Sequence, residues 1–443
     1  MKYESIIGLE VHVELNTKTK MFCRCSADYF GKSPNTHTCP ICLGLPGALL
    51  YINEQALDKC IQIGLALNCK VSPTSLFERK NYFYPDLAKG YQVSQYRWPL
   101  TINGWIEVED SQGNLSKIRI NRAHQEEDTG KLTHHGSETL IDFNRSGVPL
   151  VEVVTEPDFT DTAQIKDYAK KLQQCFRYLG VSNADMEKGD MRLEANISVR
   201  GKGKGERGKL PNYRVELKNI NSFRFMVAAC EYEIKRQIKV LEKGEKLSQE
   251  TRGWDQVKKE TYIQRSKEEA HDYRYFPEPD LPELRILESR VKSLESNLPE
   301  LPWNKSKRFE EEYQLKKADA EILTESKDMA DFFEKIVDEG KKQEIDAKEI
   351  ANYIINKKID ENISPDQILK DLKSKTAGVI GDLGELEKLA KEVMEENPNF
   401  VEIYKKGKTT VIMALVGAVM KKTSGKADAI KTRESLEKLL KTS

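Results

Sequence analysis

Polar and apolar positions alternate along the first residues of the chain. In "GLEVHVEL" (residues 8–15), Leu9, Val11, Val13 and Leu15 alternate with Glu10, His12 and Glu14. A β-strand has a side-chain period of two, so the pattern predicts a strand with one wholly apolar face. The opposite face carries two carboxylates and an imidazole, either as a solvent-facing stripe or as the wall of a cleft. The pattern recurs in "MRLEANISVR" (191–200), where Arg192, Glu194, Asn196, Ser198 and Arg200 alternate with Leu193, Ala195, Ile197 and Val199. "GVPLVEVVTEPD" (147–158) differs, because Glu152 interrupts the apolar run Leu150, Val151, Val153, Val154. A carboxylate embedded there is costly to bury unless it is paired or bound to a metal.

Helical periodicity appears in "TDTAQIKDYAKKLQQCFRYLG" (160–180), which opens on a Thr/Asp cap and ends on Gly, and in "SFRFMVAACEYEIKRQIKVLEKG" (222–244). The chain changes character near residue 290. Before it, Gly, Pro and aromatic residues punctuate short alternating segments; after it comes the Pro-marked "SLESNLPELPWNKSKRFEEEYQL" and then charged helical patterns. The expected class is α+β: a mixed, mostly antiparallel sheet domain over 1–290, a helical domain over 291–370 and a helical tail over 371–443.

Composition narrows this reading. Lys plus Arg equals Asp plus Glu, 71 each in 443 residues, so local charge rather than net charge must identify partners. The tail is where local charge speaks. Residues 371–402 hold 4 basic and 8 acidic side chains, whereas 403–443 hold 10 basic and 3 acidic ones. The apolar helix predicted over 410–420 runs into "KKTSGKA", a basic helix end suited to a phosphate backbone or simply to solvent. No stretch approaches the ~20 apolar residues that a membrane span needs. The first residues are strand-like rather than signal-like, so a cytoplasmic location is expected.

Eight cysteines in a chain of this length do not make a disulfide scaffold. Cys60, Cys69, Cys175 and Cys230 lie among apolar neighbours and read as buried thiols. Cys23, Cys25, Cys39 and Cys42 form C-x-C…C-x-x-C with thirteen residues between the pairs. Two close pairs supply the four soft ligands that Zn²⁺ takes, and four thiolates leave no position open for water, so such a zinc is structural. "HQEEDTG" adds Glu126, Glu127 and Asp128 in a turn-like setting. Carboxylates and one histidine distributed over strands suit a hard cation such as Mg²⁺, and Mg²⁺ suggests a nucleoside triphosphate. The G-x-x-x-x-G-K match at 203–209 is followed by Leu210 and Pro211, so it lacks the hydroxyl and the helix of a phosphate loop and reads as a basic hairpin.

Two aromatic and basic blocks, "RKNYFYPDLAKGYQVSQY" (79–96) and "EEAHDYRYFPEPDLPEL" (268–284), suit either nucleotide stacking or a small local core. Together with "IGLEVHVEL", "CPICLGLPGAL", "EEDTGK", "DFNRSGVPLVEVVTEPD", "ELKNINSF" and "QETRGWD", they run in order along the whole chain. In this the sequence resembles the B subunits of glutamyl-tRNA(Gln)/aspartyl-tRNA(Asn) amidotransferases. The resemblance implies a cradle domain that uses ATP and Mg²⁺ to phosphorylate the side-chain carboxylate of a misacylated tRNA. Ammonia from glutamine, released by a partner amidase A subunit, then displaces the phosphate; a small C subunit completes the assembly.

Carried onto this chain, the resemblance makes His12, Glu127 and Glu152 the Mg²⁺ residues, with Glu10 nearby. Glu194 stands where the family usually has Asp. All four zinc cysteines, found in only some members, are present. "GAVMKKTSGKA" would bring Lys421, Lys422 and Lys426 to the tRNA. Two rival readings are a non-catalytic tRNA-binding zinc scaffold and a Mg²⁺-dependent RNA phosphoesterase.

Overall fold

The computed structural model describes residues 3–201, 210–266, 273–376, 383–423 and 426–442. The G-x-x-x-x-G-K stretch at 203–209 and the start of the second aromatic block lie outside them. The chain divides into two compact units, Met1–Ser306 with Glu325–Lys327, and Lys307–Thr324 with Asp328–Ser443.

The first unit is built on a nine-stranded sheet. Its strands, numbered along the chain, are β1 (Tyr3–Glu14), β2 (Lys70–Val71), β3 (Thr101–Glu109), β4 (Leu115–Glu127), β5 (Pro149–Thr155), β6 (Met191–Gly201), β7 (Val215–Ile220), β8 (Glu250–Asp255) and β9 (Glu260–Ser266). Their order across the sheet is β9-β8-β7-β6-β1-β5-β4-β3-β2. All neighbours are antiparallel except the parallel pair β7–β8. The first strand of the chain is therefore the middle of the sheet.

Its alternation works as the pattern predicts. Leu9, Val11, Val13 and Leu15 are all buried, as are Val151 and Val153 of β5 and Leu193, Ala195 and Ile197 of β6. This face packs in one core with α1 (Glu54–Ala66), α2 (Thr162–Tyr178) and α3 (Phe223–Glu242). Each fully buried Leu, Val or Ile contributes on the order of 1.5–3 kcal/mol. With three helices on one face, the polar residues of β1, β5 and β6 are left on the other. The start of α2 is set by Asp161, whose side chain accepts from the backbone N–H of Ala163, while Gln164 reaches back to the cap, a reciprocal capping box. It ends at Gly180, whose φ of +62° is the left-handed conformation glycine takes without strain.

One segment differs from expectation, and a second has structure that the sequence left open. His124–Glu127 are strand rather than turn, because β4 stays paired with β5 as far as Glu127 opposite Pro149. The first aromatic block is not irregular. Glu78–Asn81 and Tyr91–Ser94 pair as antiparallel strands, and Phe276–Pro277 of the second block adds a third.

The second unit is helical, and its apolar side chains form two clusters. One gathers Phe309, Phe333, Ile336, Ile350, Ile354 and Leu369; the other gathers Leu386, Val393, Leu415, Val419, Leu436 and Leu440. The apolar helix expected over 410–420 is Ile412–Lys422, entered through a 3₁₀ turn at Thr409–Val411. Among the described residues no helix is long and apolar enough to cross a membrane.

Candidate active site and cysteine cluster

Three strands bring one row of side chains together on the open face of the sheet. His12 of β1 stands opposite Glu152 of β5, and Glu152 stands opposite His124 of β4. His12 Nε2 lies 3.8 Å from Glu152 Oε1 and 3.9 Å from Glu126 Oε2. His124 Nε2 lies 3.1 Å from Glu152 Oε2 and 3.4 Å from Glu126 Oε1. Ser94 Oγ donates to Glu126 Oε1 at 2.6 Å and Gln92 Nε2 to Glu126 Oε2 at 3.2 Å.

The electrostatics keep both carboxylates charged. Burial works against the Glu152 charge, but the charge and hydrogen bond of His124, helped by His12 and Lys80, hold its carboxyl well below the usual range. Burial and Glu152 also oppose ionisation of Glu126, and Lys80 and His124 outweigh them. His124 is raised in turn: burial lowers it, but Glu152 and Glu126 more than compensate. One ligand atom each from His12, Glu126 and Glu152 lies within 4.8 Å of the others. An imidazole nitrogen and two ionised carboxylate oxygens converging this closely fit a divalent cation.

Glu127 sits elsewhere. Consecutive strand residues face opposite ways, and Glu127 pairs with Lys89 Nζ and accepts from the backbone N–H of Val93 at 2.9 Å. The acidic residue that meets His12 and Glu152 is its neighbour Glu126. Lys80 is a second residue that the sequence did not single out. Burial disfavours its charge, but the fields of Glu126, Tyr275 and Glu152 raise it above its ordinary value. Its place in the aromatic and basic block 79–96 was the available signal.

Glu10 and Glu194 meet one strand row away, joined by Glu216 of β7, again with one oxygen each within 4.8 Å. Asn196 Nδ2 donates to Glu10 Oε1 at 2.8 Å. Lys218 Nζ bridges Glu194 at 2.9 Å and Glu216 at 3.2 Å. Burial, then Glu152 and Glu194, raise the Glu10 carboxyl above its usual range. Beside Glu10 opens a cavity of about 410 Å³, lined among others by Val154, Asn196, Ser198, Tyr213 and Arg214.

The four clustered cysteines also converge, with all four sulfurs within 4.8 Å of one another. The backbone N–H of Cys39 donates to Cys42 Sγ at 3.1 Å. Lys20, fully buried, donates to the carbonyl of His37 at 2.8 Å and lies 3.7 Å from Cys42 Sγ. The hydrogen bond from Cys23, with the Lys20 charge, lowers the Cys42 thiol to about 5. Four converging cysteine sulfurs with a lysine beside one of them could hold a metal ion. Cys60, Cys69, Cys175 and Cys230 are buried thiols, as the sequence indicated.

In the second unit, Lys421, Lys422 and Lys426 are exposed around the end of Ile412–Lys422. Lys422 Nζ is held by Glu392 at 2.9 Å and Glu396 at 2.7 Å.

Residues 5–292 match the family model of the GatB/GatE catalytic domain, so the sheet bearing these carboxylates is a catalytic domain of that class, and residues 312–440 match the GatB domain. The chain is 44% identical over its whole length to the whole B subunit of the aspartyl/glutamyl-tRNA(Asn/Gln) amidotransferase of Persephonella marina. It is 44% identical to that of Carboxydothermus hydrogenoformans over 96% of each chain, and 43% identical to that of Thermotoga petrophila over 99% of each. The chain belongs to this family of amidotransferase B subunits.

Proposed function

We propose that the chain is the kinase subunit of a tRNA-dependent amidotransferase that works in the cytoplasm with an amidase A subunit and a small C subunit. Its substrates are ATP and the side-chain carboxylate of Glu-tRNA(Gln), Asp-tRNA(Asn) or both. A carboxylate resists attack by ammonia because its oxygen is a poor leaving group. Transfer of the γ-phosphoryl group makes an acyl phosphate, whose phosphate leaves readily. The protein's task is to align two anions and offset charge as the phosphoryl group moves.

The convergence of His12, Glu126 and Glu152 on the open sheet face carries this reading. These three residues would hold Mg²⁺, which when bound supplies charge neutralisation for the transferred group. Lys80 adds a fixed positive charge beside them. The cavity next to Glu10 offers the room and the mixed polar lining that a nucleotide needs. The four cysteines hold a structural Zn²⁺, and the end of Ile412–Lys422 contacts the tRNA through Lys421, Lys422 and Lys426. The domain reading remains a cradle over 1–290, a helical domain over 291–370 and a tRNA-binding tail over 371–443. The scaffold reading explains neither Glu152, an ionised carboxylate buried in an otherwise apolar run, nor the convergence on it.

The test follows ATP turnover by the chain assembled with its partner subunits, in Mg²⁺ and without an ammonia donor. Turnover stimulated by Glu-tRNA(Gln) or Asp-tRNA(Asn) but not by uncharged tRNA is the expected result. Turnover indifferent to aminoacylation contradicts the proposal, and cleavage of the tRNA without ATP favours a phosphoesterase.

A further inference from the structure

The open sheet face is rich in carboxylates, yet the reaction proposed above asks it to receive another one. The charged residues on this face are mostly committed to one another. Lys218 is bound by Glu194 and Glu216, and Lys80 sits in the field of Glu126 and Glu152. Arginines of the same sheet are likewise paired: Arg119 with Asp158 at 2.6 Å, Arg192 with Asp128, and Arg252 with Glu250 at 2.8 Å.

Arg122 is different. It lies two residues before His124 on β4, so it shares the face of His124 and Glu126. Its register partner on β5 is Val154, whose partner on β1 is Glu10. Arg122 thus stands one step along the strand from the His12–Glu152–His124 row, roughly 7 Å by strand geometry. Val154 also lines the cavity.

Among the described residues Arg122 forms no ion pair. Its Nε is buried without a hydrogen-bond partner, and one terminal nitrogen donates only to Asn121 Oδ1 at 3.2 Å. The guanidinium is nevertheless held in place, its Cζ 4.9 Å from the centre of the Tyr96 ring. Tyr96 is itself stacked on Tyr275, with ring centres 4.7 Å apart and planes 15° from parallel. A guanidinium with a buried, unsatisfied donor, braced over an aromatic ring beside an acidic site, is arranged for a planar anionic ligand.

We propose that Arg122 binds the side-chain carboxylate of the aminoacyl group and presents it to the phosphoryl donor. The inference rests on the kinase-site reading above. A guanidinium fork matches both carboxylate oxygens in one plane, which a lysine ammonium does not. It also offsets the repulsion that Glu10, Glu126 and Glu152 exert on an incoming anion. Arg122 contacts substrate in this role but exchanges no proton.

The test uses Arg122→Gln and Arg122→Lys in the full chain assembled with its partner subunits, with Glu152→Gln as the control. Arg122→Gln is expected to lower kcat/KM for charged tRNA by about 10- to 100-fold, the scale of a lost charged hydrogen bond. The KM for ATP and the affinity for uncharged tRNA stay unchanged, and Arg122→Lys restores activity only in part. Thermal melting of each variant confirms that it is folded.

An unchanged kcat/KM overturns the inference. So does a rise in the KM for ATP alone, which assigns Arg122 to a phosphate. A matching loss of affinity for uncharged tRNA also overturns it, because the contact would then be with the nucleic acid. If Glu152→Gln keeps turnover dependent on charged tRNA, the kinase-site reading itself has failed. If that control is dead while Arg122→Gln is normal, only the role of Arg122 has.

Discussion

His12 and Glu152 are directly opposed on neighbouring antiparallel strands, with the imidazole Nε2 3.8 Å from a carboxylate oxygen. Residues 140 positions apart in sequence meet because β1 is the centre of the sheet and β5 lies beside it. Rigid strands paired on both sides hold that separation, which a site built on loops would not.

The same register separates two adjacent glutamates. Glu126 shares the His12–Glu152 site, whereas Glu127 pairs with the buried Lys89. Glu126→Gln is expected to abolish charged-tRNA-dependent ATP turnover while leaving the urea midpoint nearly unchanged. Glu127→Gln leaves Lys89 buried without its counterion and is expected to cost about 3–5 kcal/mol of stability. Urea unfolding and steady-state turnover, measured on both variants, separate the two roles. A catalytic defect with unaltered stability in Glu127→Gln reverses the assignment.

The cysteine cluster shares no residue with the carboxylate row, and a metal held there would stabilise without reacting. Metal analysis of the purified chain is expected to find one zinc, and chelation to lower the melting temperature by several degrees. Cys39→Ser combined with Cys42→Ser acts in the same direction. Full turnover by the assembled enzyme at a temperature where the zinc-free chain is still folded fits a staple. Loss of turnover from a chain shown to be folded contradicts it.

Asp161 caps α2, and its carboxyl lies below its usual range. Burial opposes the shift, and hydrogen bonds from Ser111 and the backbone of Ala163 outweigh it. A carboxyl depressed in the folded state adds stability above its unfolded pKa of ~3.9 and loses it as pH falls through the folded value. Asp161→Ala is expected to cost about 1 kcal/mol near neutral pH, with the gap to wild type narrowing below about pH 4. Urea titrations at both pH values test this, and a gap independent of pH contradicts it.

How legible these features were depends on how local their causes are. The alternation of β1 and β6 is local, so the apolar face and the polar face of Glu10, His12 and Glu194 could be read directly, and Glu152 stood out as a lone carboxylate in the apolar run of β5. The cysteine pairs were legible for the same reason. The phase of "HQEEDTG" is not local. It depends on β4 continuing to pair with β5, and a reading that ends the strand early cannot tell which glutamate faces His12. Lys80 and Arg122 lie in or beside stretches that the sequence marks, but nothing local picks them out from the other basic residues there. Each acquires its meaning from strands and rings brought in by the fold, Tyr275 from the second aromatic block among them.

The most direct test of the central claim is the acyl phosphate itself. The assembled enzyme would be given [γ-³²P]ATP, Mg²⁺ and charged tRNA without an ammonia donor, and the activated carboxylate trapped with hydroxylamine as a hydroxamate. Label transfer and hydroxamate in the wild type, both absent in a folded Glu152→Gln variant, are the predicted outcome. Equal trapping in the two proteins would place the phosphoryl transfer elsewhere and leave the row of His12, Glu126 and Glu152 a structural feature of the sheet.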